Sequence, residues 1–217
     1  MDVLMEELKQ KPNLKILVNE LTQLLQEEEQ RRKDFYNSIS ESDKAEFING
    51  EVIMHSSVKL EHGDTSILLS SYMKYYCIKK NSGKVLYEKA MIQLTRNSYE
   101  PDIVFFKKEK ADKFTPGQML FPAPDLIVEV LSPSTEKYDR GIKFTDYALH
   151  GVSEYWIIDP TQKSAEQYFL QGDAYLLEFK GKTGLLTSRA IAGFTIPVQA
   201  IFDEAENMKA LQQLMQS

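Results

Sequence analysis

Two apolar runs each carry one carboxylate: Asp102 opens PDIVFF, and Glu129 interrupts PDLIVEVL. An acid among aliphatic neighbours is expensive to bury unless it meets a cation, a metal or a proton. In the second run Ile127, Glu129 and Leu131 share one strand face, and Val128 and Val130 point to the other. Apolar residues on both faces suggest the centre of a sheet covered on both sides. If the two strands are neighbours, Asp102 and Glu129 converge on one point. Paired carboxylates repel, so either one of them holds a proton or a divalent cation lies between them. Oxygen donors favour Mg²⁺ or Mn²⁺ over zinc. With one cysteine and three histidines in the chain, a zinc cluster is not expected.

The segment after Glu129 places Asp139, Lys143 and Tyr147 at i, i+4 and i+8, close to one helix face. A lysine there could stabilise developing negative charge or orient an attacking water. The same spacing also makes an ordinary helix ion pair with Asp139. Glu51 follows the dipeptide Asn49-Gly50 and reads either as a further site acid or as a solvated strand residue. His62 reads as a surface residue near a helix start, and Ser132, Ser134 and Thr135 as turn and cap residues. Lys107, Lys108, Lys110 and Lys113 form a basic cluster that suits a solvated loop or a local nucleic-acid contact. The net charge of −6 argues against broad adhesion to nucleic acid. The chain has no G-x-S-x-G elbow and no glycine-rich phosphate loop, so serine hydrolase and P-loop chemistry lack support.

The elements that must position these residues centre on residues 124–160. This stretch reads as strand, helix, strand: an apolar run, a break at Ser132-Pro133, a helical pattern closed by Gly151, and a second run at 155–158. Upstream, Asn13 is placed to cap a helix over 14–32, with Leu14, Leu17, Val18, Leu21, Leu24 and Leu25 at helical spacing. Asn49-Gly50 between short apolar runs predicts a tight hairpin. A helix is expected over 64–80, with Leu68, Tyr72 and Tyr75 on its stripe, and then one strand over 85–95. A hairpin around Gln171-Gly172-Asp173, a short edge element at 193–197 and a helix over 205–215 complete the chain.

At 217 residues, 42% hydrophobic and 11% aromatic, the chain can bury a full core, and disorder is not expected. The single cysteine, Cys77, excludes an internal disulfide framework and reads as a packed thiol in a reducing cytoplasm. Acids near the N-terminus and the lack of a long apolar run predict a soluble, intracellular protein.

The order INGEVIMHSS, His62, PDIVFF, PDLIVEVLSPST, DRGIKFTDYALHGVSEYWIIDP and a late GFTIPV resembles the Uma-two family of restriction endonucleases, within the PD-(D/E)XK nuclease superfamily. The resemblance spans residues 45–202. It implies an α/β fold with a restriction-endonuclease-like mixed sheet core flanked by helices. Residues 1–40 would be an added N-terminal helical extension and residues 41–217 the nuclease domain. The motif aspartate falls on Asp102 and the motif acid on Glu129. Leu131 stands where the pattern has lysine, and the matching lysine is Lys143 in the following helix, whose long side chain can reach the same pocket. Glu51 is the best match for an additional acid, with Glu46 and His62 competing for that role. The implied activity is Mg²⁺-dependent (or Mn²⁺-dependent) hydrolysis of phosphodiesters in double-stranded DNA. A homodimer is expected, because cutting both strands needs two sites related by symmetry. The rival reading is a catalytically silent nucleic-acid- or protein-binding module on the same fold.

Overall fold

In the computed structural model, which describes residues 2–40 and 42–216, the N-terminal stretch forms α1 (Asp2–Lys9) and α2 (Leu14–Ser38). Helix α2 continues past the expected end at residue 32. Its polar segment is helical because charges fall at i, i+4 spacing, as in the Lys33–Glu29 pair at 3.1 Å. Asn13 precedes the helix without forming a side-chain cap. The apolar stripe is largely exposed, at 51% for Val18, 55% for Leu21 and 50% for Leu25. Glu28 and Phe35 are buried instead. Glu28 is held by a bidentate Arg96 at 2.8 Å on both oxygens. Those hydrogen bonds keep its carboxyl below the ordinary value despite burial.

The expected hairpin is present as β1 (Ala45–Ile48) and β2 (Glu51–Met54), with Ile48 opposite Glu51. Asn49 and Gly50 take φ of 50° and 84°, the positive values that a two-residue turn between right-twisted strands requires. The chain divides into two compact units: Met1–His55 with Thr95–Asn97, and Ser56–Leu94 with Ser98–Ser217.

The second unit begins with α3 (Leu60–Lys80). Its buried stripe runs through Leu69, Met73 and Tyr76 as well as Tyr72, while Tyr75 is 54% exposed. The sequence offers two adjoining apolar stripes on this helix. Edge-on contacts of Tyr72 and Tyr76 with Phe194 fix which one turns inward. Cys77 is buried on the same face, as expected, and burial pushes its thiol up.

The expected strand over 85–95 is two strands, β3 (Gly83–Tyr87) and β4 (Met91–Gln93). Glu88 and Lys89 between them take φ of 48° and 50°, which turns the chain out of the first sheet. Next come β5 (Ser98–Tyr99), β6 (Ile103–Lys107), α4 (Lys108–Ala111) and β7 (Leu120–Phe121). Strand β4 pairs antiparallel with β5 and parallel with β7. The central unit follows as β8 (Leu126–Val130), α5 (Glu136–Asp139), α6 (Ile142–Leu149) and β9 (Glu154–Asp159). The single helix expected here is broken at Gly141, where a Cβ would lie 2.7 Å from the carbonyl oxygen of Lys137. Finally, β10 (Ser164–Gln171) and β11 (Ala174–Gly181) make the predicted hairpin, β12 (Leu185–Thr187) pairs with β13 (Thr195–Pro197), and α7 (Glu204–Gln216) follows.

The main sheet is six-stranded and mixed, in the order β11-β10-β9-β8-β6-β3. Only β8 and β9 run parallel, which requires the crossover through α5 and α6. Leu126, Val128, Val130, Trp156 and Ile158 face one core with residues of α3 and α7. Glu129 and Tyr155 belong to the opposite face, where Phe144 and Tyr147 of α6 stack edge-on against Tyr155. Glu129 is thus 3% exposed yet lies between sheet and helix rather than in the main core.

The crossover is pinned to the outer strands by Arg140, which donates to both oxygens of Glu166 at 2.9 and 3.0 Å. Burial raises the Glu166 carboxyl, but hydrogen bonds from Arg140, Tyr168 and Lys180 outweigh it and hold the group at about 2. This clamp therefore stabilises the fold fully above the ordinary carboxylate value of 4.5, and the contribution is lost as pH falls through about 2. Glu166→Gln is expected to flatten the acid limb of stability between those values, measured as urea midpoints against pH. No helix among the described residues is long and apolar enough to cross a membrane.

Candidate active site

Strands β6 and β8 are antiparallel neighbours, with Ile103 opposite Val128, so Asp102 comes beside Glu129 at one end of the pair. The backbones hold the two carboxylates crosswise. Val130 N donates to Asp102 Oδ2 at 2.8 Å, and Asp102 N approaches Glu129 Oε2 at 3.4 Å. From α6, Lys143 Nζ donates to Glu129 Oε1 at 3.1 Å and Tyr147 Oη donates to the same oxygen at 2.9 Å. Lys143 also pairs with Asp139 Oδ1 at 3.1 Å and is 2% exposed. Its ammonium lies 5.9 Å from the Tyr99 ring centroid. Tyr99 is anchored through its hydroxyl to Asp146 Oδ2 at 2.8 Å. His62, in the first turn of α3, brings Nε2 to 3.3 Å from Asp102 Oδ2.

Asp102, Glu129 and Asp139 carry a formal surplus of negative charge over Lys143, and all are buried. Tyr155, fully buried beside them, registers this field. Burial pushes its hydroxyl well above the ordinary value, and the charges of Glu129 and Asp139 push it further. Such a place attracts a cation. Among the described residues, no group of three or more His, Cys, Asp and Glu is arranged to hold a metal ion unaided. Mg²⁺ does not need one, because it commonly binds through one or two carboxylates and takes its other ligands from water and substrate phosphates. The oxygen donors of Asp102 and Glu129 fit that requirement.

Asp102, Glu129, Lys143 and His62 therefore meet within the second unit. Glu46 and Glu51 belong to the first unit. There Glu51 is exposed on β2, while Glu46 is buried on β1 with Oε2 3.1 Å from His55 Nε2. The basic cluster is partly tied up locally: Lys108 pairs with Asp112 and Lys110 with Asp125, each at 3.1 Å. Ser132 and Thr135 make the expected turn ahead of α5, with Thr135 N donating to Ser132 Oγ at 3.3 Å, but the expected side-chain cap on the helix does not form. No spacing in the sequence marks Tyr99 and Tyr155 as walls of the site, because they come from strands distant in the chain.

A mixed sheet flanked by helices, with this acid pair on adjacent strands, places the molecule in the restriction-endonuclease-like class of α/β folds. A solved structure from Anabaena variabilis, described as a "putative nuclease belonging to DUF820", superposes with a TM-score of 0.68 at 18% identity, covering 81% of this chain and 97% of that one. The model of the Uma2 family, described as "Putative restriction endonuclease", matches residues 29–199, and the chain belongs to that family. Among its relatives are two uncharacterized proteins of Synechocystis sp. One, sll1609, is 30% identical over 61% of this chain and 75% of its own length. The other, slr1290, is 28% identical over 72% of this chain and 83% of its own length.

Proposed function

We propose that this protein is a Mg²⁺-dependent (or Mn²⁺-dependent) endonuclease that hydrolyses phosphodiester bonds of double-stranded DNA. The observation that carries this reading is the meeting of Asp102, Glu129 and Lys143, from two adjacent strands and the next helix, in one buried place. The family description and the nuclease named for the Anabaena structure support it. Asp102 and Glu129 would hold the metal. When bound, such a cation supplies Lewis-acid polarisation of the phosphate and makes water a stronger nucleophile. Lys143 holds its charge on Glu129, where it can steady negative charge developing on the phosphate oxygens or orient the attacking water. Tyr147 fixes the rotamer of Glu129 from the same helix.

The nuclease domain is taken as residues 41–217, with 1–40 as its helical extension. The exposed apolar stripe of α2 supports a homodimer, which would supply the second cut. The single buried cysteine suits a cytoplasmic setting.

Lys143 already pairs with Glu129 and with Asp139 at 3.1 Å each, an ion-pair network that favours a second reading, a catalytically silent nucleic-acid- or protein-binding module on this fold. Thermal unfolding in Mn²⁺ separates the two. At a cation concentration of about 100 Kd, wild type is expected to gain about 2.7 kcal/mol, seen as a raised Tm. Glu129→Ala is expected to gain none. A wild-type Tm that ignores the cation, with DNA still bound, would favour the module.

A further inference from the structure

We propose that His62 is a positioning residue, which fixes the Asp102 carboxylate through Nε2 so that it faces Glu129 before any cation arrives. The inference rests on the reading of Asp102 as a cation-holding group. His62 and Asp102 are each 7% exposed at the side chain, so their contact is shielded from water. Asp102 Oδ2 accepts from Val130 N at 2.8 Å, and His62 Nε2 stands 3.3 Å from that same oxygen. The oxygen is thus approached from strand β8 and from the first turn of α3. That turn is itself closed by His62 N donating to the Lys59 carbonyl at 3.1 Å.

The other ring nitrogen identifies the tautomer. Nδ1 is buried and has no hydrogen-bond partner among the described residues. A proton on Nδ1 would be a buried donor with no acceptor, and it would set the Nε2 lone pair against a carboxylate oxygen. Nε2 instead has that oxygen 3.3 Å away, so the Nε2–H tautomer is the one with an acceptor at hand. Leaving Nδ1 unmet still carries a desolvation cost. A phenylalanine would fill the same space without that cost, so packing alone does not account for an imidazole here. Its compensating gain lies at Asp102. Asp102 stands at the mouth of β6, just ahead of its first residue, where the sheet constrains the side chain less than it does Glu129. Groups that orient a metal-holding side chain commonly change affinity by about 10–100-fold.

The test is Mn²⁺ affinity of the full chain, measured by calorimetry without DNA, for wild type, His62→Phe, His62→Gln and His62→Asn. The glutamine amide nitrogen reaches the place of Nε2, whereas asparagine reaches only that of Nδ1. His62→Phe and His62→Asn are expected to weaken binding about 10–100-fold, with His62→Gln within about threefold of wild type. Unchanged binding in His62→Phe, or rescue by asparagine equal to that by glutamine, would overturn the inference. If His62→Phe does not fold by circular dichroism, the glutamine and asparagine variants decide the matter alone. With three histidines in the chain, nitrogen NMR of the metal-free protein reads the tautomer directly. The Nε2–H form is expected at His62, and the Nδ1–H form contradicts the proposal. A wild type that binds no Mn²⁺ defeats the reading of Asp102 and this inference with it. Binding that depends on Glu129 but not on His62 defeats the inference alone.

Discussion

Alanine at Glu129 or at Lys143 is expected to lower phosphodiester cleavage by about 10³-fold or more, the scale on which removing a preorganised charge acts on a reaction. The two variants should differ in stability. Without Glu129, Lys143 keeps Asp139 at 3.1 Å, so the buried charges remain paired. Without Lys143, Glu129 and Asp139 stay buried with no cation between them, and breaking such a pair costs about 3–5 kcal/mol. Lys143→Ala should therefore lose both activity and stability, and Glu129→Ala mainly activity. Urea unfolding beside a cleavage assay reads the two quantities separately. Equal stability losses would show that Lys143 is not the charge balancing this pocket.

Glu154→Ala is expected to be the most destabilising single change remote from the site, at about 4 kcal/mol. Glu154 is fully buried at the start of β9, and its hydrogen-bond donors among the described residues are neutral side chains and backbone N–H groups. Its Oε1 accepts from Trp156 Nε1 at 2.6 Å and Gln167 Nε2 at 2.7 Å. Its Oε2 accepts from Ser188 Oγ at 2.8 Å and from the backbone N–H of Arg189 and Ala190 at 2.9 and 2.8 Å. One carboxylate thus ties the segment between β12 and β13 to the main sheet, and alanine would leave every one of these donors without its acceptor. Glu154→Gln retains one acceptor oxygen and should cost about half as much. A loss under about 1 kcal/mol for alanine, measured by urea unfolding, would mean that the segment is held by its apolar contacts instead.

Glu129 and Glu154 mark what was legible in the sequence and what was not. The two-sided apolar run around Glu129 placed it at a sheet centre, and the crossover to β9 followed from the strand–helix–strand pattern. That β6 lies beside β8 stood only as a condition, since pairing between distant strands leaves no local trace. Glu154 belonged to a recognisable motif, but its partners lie tens of residues away, so its anchoring role had no signal. Local errors had local causes. Glu88 and Lys89 break a strand by adopting positive φ, which neither residue type advertises. Helix α3 carries two apolar stripes, and only Phe194, far along the chain, selects between them. The stripe on α2 has helical spacing and is helical, yet its exposure depends on what surrounds the helix. By sequence alone His62 is a surface residue near a helix start, whereas folding buries it against Asp102.

The most direct test of the central claim is cleavage of supercoiled plasmid in Mg²⁺ or Mn²⁺, with wild type and Glu129→Ala side by side. Asp102, Glu129 and Lys143 acting as a metal-dependent nuclease site predicts nicked or linear product from wild type only, and none when the cation is chelated. Equal cutting by both proteins, or cutting that persists under chelation, would contradict it.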